Sequence, residues 1–207
     1  FLLAQIPALS IEVAGKVIVL ALLCALLARL FCLILHTVSE MFSMYIQNQY
    51  MRIVIGSCMI LCGYLLFGGR YLGAGMDVIE ASMHGEVIPF AFLLKLLFTA
   101  VTLGCGFKGG EIVPSFFIGA TFGAWIASLL QLPPSFAAAI GFMSVFCGVT
   151  NCPISALFIS FELFGFVAVP CFLLAAAVSY MLSGYESLYQ EQKIMYSKFS
   201  SKFIDQK

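Results

Sequence analysis

Residues 104–123 read GCGFKGGEIVPSFFIGATFG. Lys108 and Glu111 stand among four glycines, ahead of an apolar run that starts at Ile112. The pattern is that of a helix N-terminus. The first four amides of a helix have no internal partner. Together they carry about half a positive charge. Glycines let a ligand approach the backbone closely, and Pro114 gives up a donor that an early helical position does not need. The amides of Glu111, Ile112 and Val113 are expected to converge on one spot that favours a small anion. Neutral amides also let an ion leave, as conduction requires. The competing reading is a tight turn into a helix, with Glu111 complementing the dipole for about 0.3–1 kcal/mol. Burial would raise the pKa of a Glu111 carboxyl and the dipole would lower it. Lys108 offers it a partner three residues away.

Those residues sit in a chain built for lipid. The 207 residues are 62% hydrophobic and 10% charged, with a mean hydropathy of +1.08. Soluble domains average about 25% charged. The chain therefore reads as an all-α integral membrane protein. Its net charge of zero argues against a nucleic-acid surface. His36 and His84 lie far apart and make no metal pattern, and no organic cofactor is implied. The eight cysteines lie mostly in apolar runs and read as small packing residues, with Cys58 and Cys62 at helical spacing. The opening FLLAQIPALSIEVAGK lacks the basic region and cleavage site of a signal peptide. It reads as a chain entered in mid-protein.

A helix that crosses a bilayer needs about 20 apolar residues. Val17–Leu35 provides a span, interrupted by Arg29. Ile53–Phe67 is short, and Tyr71–Glu86 suggests a short or re-entrant helix. Val87–Leu103 carries Lys95, and Ile112–Leu130 follows the glycine mouth. Phe136–Val149 is short. The segment VTNCP breaks the chain, and Ile154–Phe161 leads to Glu162. Leu163–Leu182 reads as a last span with Pro170 inside. Residues 1–189 thus form a membrane domain, and 190–207 a polar tail whose lysines place it in the cytoplasm. Helices too short to cross, with glycine or proline at their ends, point to a transporter-like site. Lys95 and Arg29 are expected to snorkel or pair. Gly119 and Gly123 form a close-packing GxxxG.

The motifs resemble those of the CLC family of chloride channels and proton-coupled anion transporters. GFKGGEIVPSFFIGATFG is similar to the start of the helix that closes the family's ion site. YLGAGMDVI (71–79) resembles the glycine-rich stretch before it. NCPISALFISFEL (151–163) resembles the late helix with its buried acid, here Glu162. SGYESLY (183–189) resembles the segment whose tyrosine contacts the central anion, which carries over to Tyr189. The resemblance covers the second of two inverted halves. The first-half loops, Gly-Ser-Gly-Ile-Pro and a Gly-Arg-Glu-Gly-Pro-like loop with the gating glutamate, are not in this chain.

The family commonly has Gly-Gly-Ile-Phe-Ala-Pro where this chain has Gly109-Gly110-Glu111-Ile112-Val113-Pro114. The acid resembles the Gly-Gly-Glu-Val-Thr-Pro version of the fluoride-exporting branch, but Val113 replaces its threonine.

The resemblance implies transport of chloride or fluoride across a plasma membrane of bacterial type, by conduction or by anion/proton exchange. It implies an anion site of Gly109, Gly110, Glu111, Ile112, Val113 and Tyr189, with Glu111 and Glu162 as proton-coupling candidates. It also implies a homodimer with one pathway per subunit, completed by the first half of the same protein. The other reading is a membrane scaffold or assembly subunit that transports nothing. An enzyme is not expected, since no nucleophile–base or HExxH-type cluster is present.

Overall fold

In the computed structural model, residues 3, 6–189, 192, 194–200 and 202–206 are described. Eight α-helices and one short hairpin follow in order: α1 Ile11–Tyr45, α2 Gln49–Phe67, α3 Met76–Met83, α4 Ala91–Gly104, α5 Ile112–Leu130, α6 Pro134–Thr150, α7 Pro153–Phe164, α8 Val169–Leu182, β1 Ile194–Tyr196 and β2 Phe203–Gln206. Among the described residues α1, α2 and α5 are long and apolar enough to cross a membrane. The other apolar helices, α4, α6, α7 and α8, have 10–17 residues. At about 1.5 Å per residue, α1 is roughly 52 Å long against a hydrocarbon core of about 30 Å. It can lie in the bilayer only if tilted or projecting.

α1 supplies the backdrop. Its buried residues, among them Val17, Leu20, Ala21, Cys24, Leu27, Ala28, Phe31 and Leu35, repeat at three- and four-residue steps along one face. That face packs on α6, α8 and α4. α6 is buried over nearly its whole length, whereas α2 buries little beyond Gly56. Five cysteines (Cys24, Cys32, Cys105, Cys147 and Cys171) are buried as packing residues, while Cys58 and Cys62 face outward on α2.

The tightest contact is the antiparallel pair α5–α6. Gly119 lies against Gly141, and Gly123 against Ala137; a Cβ at either glycine would collide with the opposing backbone carbonyl. The close approach then lets the aromatic rings at the open end interlock. Phe116 stacks on Phe142 with centroids 4.1 Å apart and meets Phe146 at 4.8 Å. The GxxxG expectation is met within one chain.

Several boundaries differ from the sequence reading. The last span divides: α7 stops at Gly165, whose φ of 75° favours glycine, and α8 starts four residues later. Pro170 falls in the first turn of α8, where its missing amide costs nothing. The glycine-rich stretch is a 3-10 turn, Gly69–Tyr71, followed by eight-residue α3. Glu162, which the resemblance matches to a buried acid near the subunit-facing helices, is exposed on α7 in this chain. Lys95 does not snorkel, and it pairs with no acid among the described residues. It is 2% exposed and donates to the carbonyls of Tyr71 and Gly73, which the non-helical turn leaves without helical partners.

The polar tail is not wholly free. β1 and β2 pair antiparallel, and between them Lys198 reaches the C-terminal ends of α6 and α8. Its ammonium donates to Asn151 Oδ1, to the Tyr180 and Gly184 carbonyls and to Ser183 Oγ. Burial lowers its pKa to about 8, so at neutral pH it remains a cation facing the negative ends of two helices.

Two outcomes follow. Gly119→Val should lower the thermal midpoint of the intact protein, costing at least the roughly 1–3 kcal/mol of an overpacked core. Lys198→Met should speed limited proteolysis between Met195 and Phe203 while leaving the helical circular-dichroism signal unchanged.

Candidate functional site

The hydrogen-bond ladder of α5 begins with Ser115 N–H donating to the Glu111 carbonyl at 3.3 Å. The amides of Ile112 and Val113 precede it and have no intrahelical acceptor. Glu111 occupies the N-cap position, yet its side chain makes no capping hydrogen bond. Lys108 is exposed, and no ion pair joins it to Glu111 among the described residues. The carboxylate therefore neither caps the helix nor neutralises Lys108.

Glu111 instead lines a cavity of about 420 Å³ with Leu35, His36, Ser39, Leu103, Gly104, Leu188 and Tyr189. Three segments remote in sequence thus meet: the end of α1, the mouth of α5 and the loop after α8. That loop is pinned from two sides. Leu188 N–H donates to the Val149 carbonyl at 2.9 Å, and Ser187 Oγ donates to the same carbonyl at 3.2 Å. Also from the end of α6, Asn151 Nδ2 donates to the Glu186 carbonyl at 3.0 Å, and from α1 His36 Nε2 donates to the Ser187 carbonyl at 3.0 Å. The two tyrosines of SGYESLY separate: Tyr189, 45% exposed, lines the cavity, while Tyr185 Oη bonds Ser197 Oγ of the tail segment.

The other residues of the expected site face elsewhere. Gly109, Gly110 and Val113 line a second cavity of about 330 Å³, with Tyr71, Gly73, Lys95 and Pro114. Leu103 is common to both walls. Ile112 borders neither cavity and is exposed. The mouth of α5 is thus a partition with a cavity on each side. Glu162, on the outward face of α7, joins neither.

Sequence reasoning passed over His36. Its partner is a backbone carbonyl 151 positions away, a contact that no local motif announces. The only trace in the sequence is an imidazole at the end of an otherwise apolar run.

A mouth of uncapped neutral amides, set among helices broken at glycine and proline, defines a membrane-transport fold of the broken-helix kind. The chain belongs to the voltage gated chloride channel family, whose sequence profile matches residues 2–184. A chloride/fluoride channel protein of Pseudomonas syringae pv. tomato is 42% identical over 129 residues, 62% of this chain and 28% of that protein. An uncharacterised protein of Methanocaldococcus jannaschii is 25% identical over 176 residues, covering 82% of this chain and 44% of the relative. The crystal structure of a CLC-type fluoride/proton antiporter superposes with a TM-score of 0.88 at 34% identity, over 92% of this chain and 49% of that one. The fold is that of the CLC transporters, and the chain spans about half or less of the length of these relatives.

A hydrogen bond to a charged group contributes about 1.5–3 kcal/mol, or roughly tenfold or more in affinity. Tyr189→Phe should weaken anion binding to the intact protein by that factor in calorimetric titration. Unchanged affinity would leave Tyr189 a packing role only.

Proposed function

We propose that this chain is the second half of a membrane protein that moves small anions, chloride or fluoride, across a lipid bilayer. The observation that carries the reading is the convergence of Glu111, Tyr189 and His36 on one cavity beside the uncapped amides of α5. The positive end of α5, in the wall between the two cavities, would favour the ion, and the Tyr189 hydroxyl would donate to it from the Glu111 side. No fixed cation is needed at that point, so the ion is stabilised without being trapped.

Glu111 is the proton-coupling group in this reading. It is half-buried, makes no capping bond and lines the same cavity as Tyr189. Of the two carboxylates first considered, Glu162 loses ground because it points away from both cavities. The names of the relatives, a chloride/fluoride channel and a fluoride/proton antiporter, favour fluoride among the small anions. The Gly-Gly-Glu motif at residues 109–111 supports the same preference, while Val113 in place of threonine gives up one hydroxyl at the mouth. We further propose that the chain acts together with the family's first half, as a homodimer in a bacterial plasma membrane, with its C-terminus in the cytoplasm.

The test is anion efflux from liposomes holding the intact protein. Fluoride or chloride efflux is expected, and with Glu111→Gln the efflux should no longer respond to an imposed proton gradient. Absence of flux for both anions, with insertion confirmed, would favour a scaffold role. Proton coupling that survives Glu111→Gln would move that task to another residue.

A further inference from the structure

The second cavity holds a feature that the Glu111–Tyr189 site does not use. Lys95 on α4 is 2% exposed and lines that cavity. Its ammonium has three donors. Two are spent on the carbonyls of Tyr71 and Gly73, and the Phe117 ring lies 5.0 Å from Nζ. No carboxylate stands within ion-pair distance among the described residues. Asp77, in the first turn of α3, acts on Lys95 only through its field. Carbonyl dipoles and a ring face offset part of the charge, but a buried cation without a counter-charge is costly.

The same cavity is lined by Gly109 and Gly110. Neither amide takes part in a backbone hydrogen bond among the described residues. The hydroxyls of Thr99 and Thr102, on the Lys95 face of α4, donate back to the Lys95 and Phe98 carbonyls. The donors left over are thus one N–H of Lys95 and the glycine amides. They belong to residues that line about 330 Å³, room for a halide-sized ion with several waters.

We infer that the Lys95 cavity is a second small-anion site, on the opposite side of the α5 mouth from Glu111 and Tyr189. The inference rests on the anion-transport reading above, because it takes the ion to be the same. A resident anion supplies the counter-charge that Lys95 lacks. It also sits one partition away from the first site, so that an ion crossing the glycine segment leaves one set of donors for another. A lysine is tolerable here, where ions gather, although at the mouth itself it would slow release.

The thermal midpoint of the intact protein in detergent, measured against sodium fluoride and sodium chloride, tests this. Sodium gluconate at equal ionic strength serves as the reference. Bound anions raise the midpoint in proportion to the number lost on unfolding. Lys95→Met should cut the anion-dependent rise to roughly half the wild-type slope, and Lys95→Arg should retain most of it. A lower midpoint with an undiminished anion slope in Lys95→Met would overturn the inference, leaving Lys95 a clamp on residues 71–73 or the partner of an acid elsewhere in the protein. The second measurement needs no variant: bromide soaked into crystals of the intact protein should give an anomalous peak beside Lys95 Nζ. A peak at the α5 mouth with none at Lys95 would also overturn the inference. Wild-type protein with no anion-dependent rise and no bromide at either place would sink the transport reading along with it.

Discussion

The architecture answers to one constraint: a backbone amide or carbonyl left open at membrane depth must find a partner in protein or face a wet cavity. Three breaks in the helices can be traced to such a partner. The carbonyls freed at Tyr71 and Gly73 are met by Lys95. The open carbonyl of Val149, at the end of α6, is met by Leu188 and Ser187. The carbonyls of Tyr180 and Gly184, at the end of α8, are met by Lys198. The start of α5 is left without a side-chain cap and has a cavity on each side, lined by Gly109, Gly110 and Val113 on one and by Glu111 on the other.

The glycine mouth was legible because it is local. Ile112 begins α5 as its sequence suggests, and Leu130 ends it. The resemblance to the CLC family rested on motifs spread along the chain, and the fold agrees with it. The break between α7 and α8 was missed because hydropathy runs on through Phe164–Ala168, and a single glycine at φ 75° redirects the chain. Glu162 is exposed in this chain, and apolar residues around an acid do not say which way a helix is rotated. Lys95 was expected to reach water or an acid, since sequence cannot show which carbonyls a distant turn will leave open. The meeting of His36 with the Tyr189 loop depends on α1 and the segment after α8 closing around α6, which is tertiary information.

The close contact of α5 with α6 has a consequence beyond stability. The mouth lies at the start of α5, and the Tyr189 loop hangs from the end of α6 through Val149. Because the helices run antiparallel, these two points are the tips of one pair of jaws. Gly119 against Gly141 and Gly123 against Ala137 form the pivot. The separation between the start of α5 and the Tyr189 loop is therefore set by small residues two and three turns further along α5. A methyl group added at the pivot would spread the jaws, so the width of that opening is written partly in residues far from it.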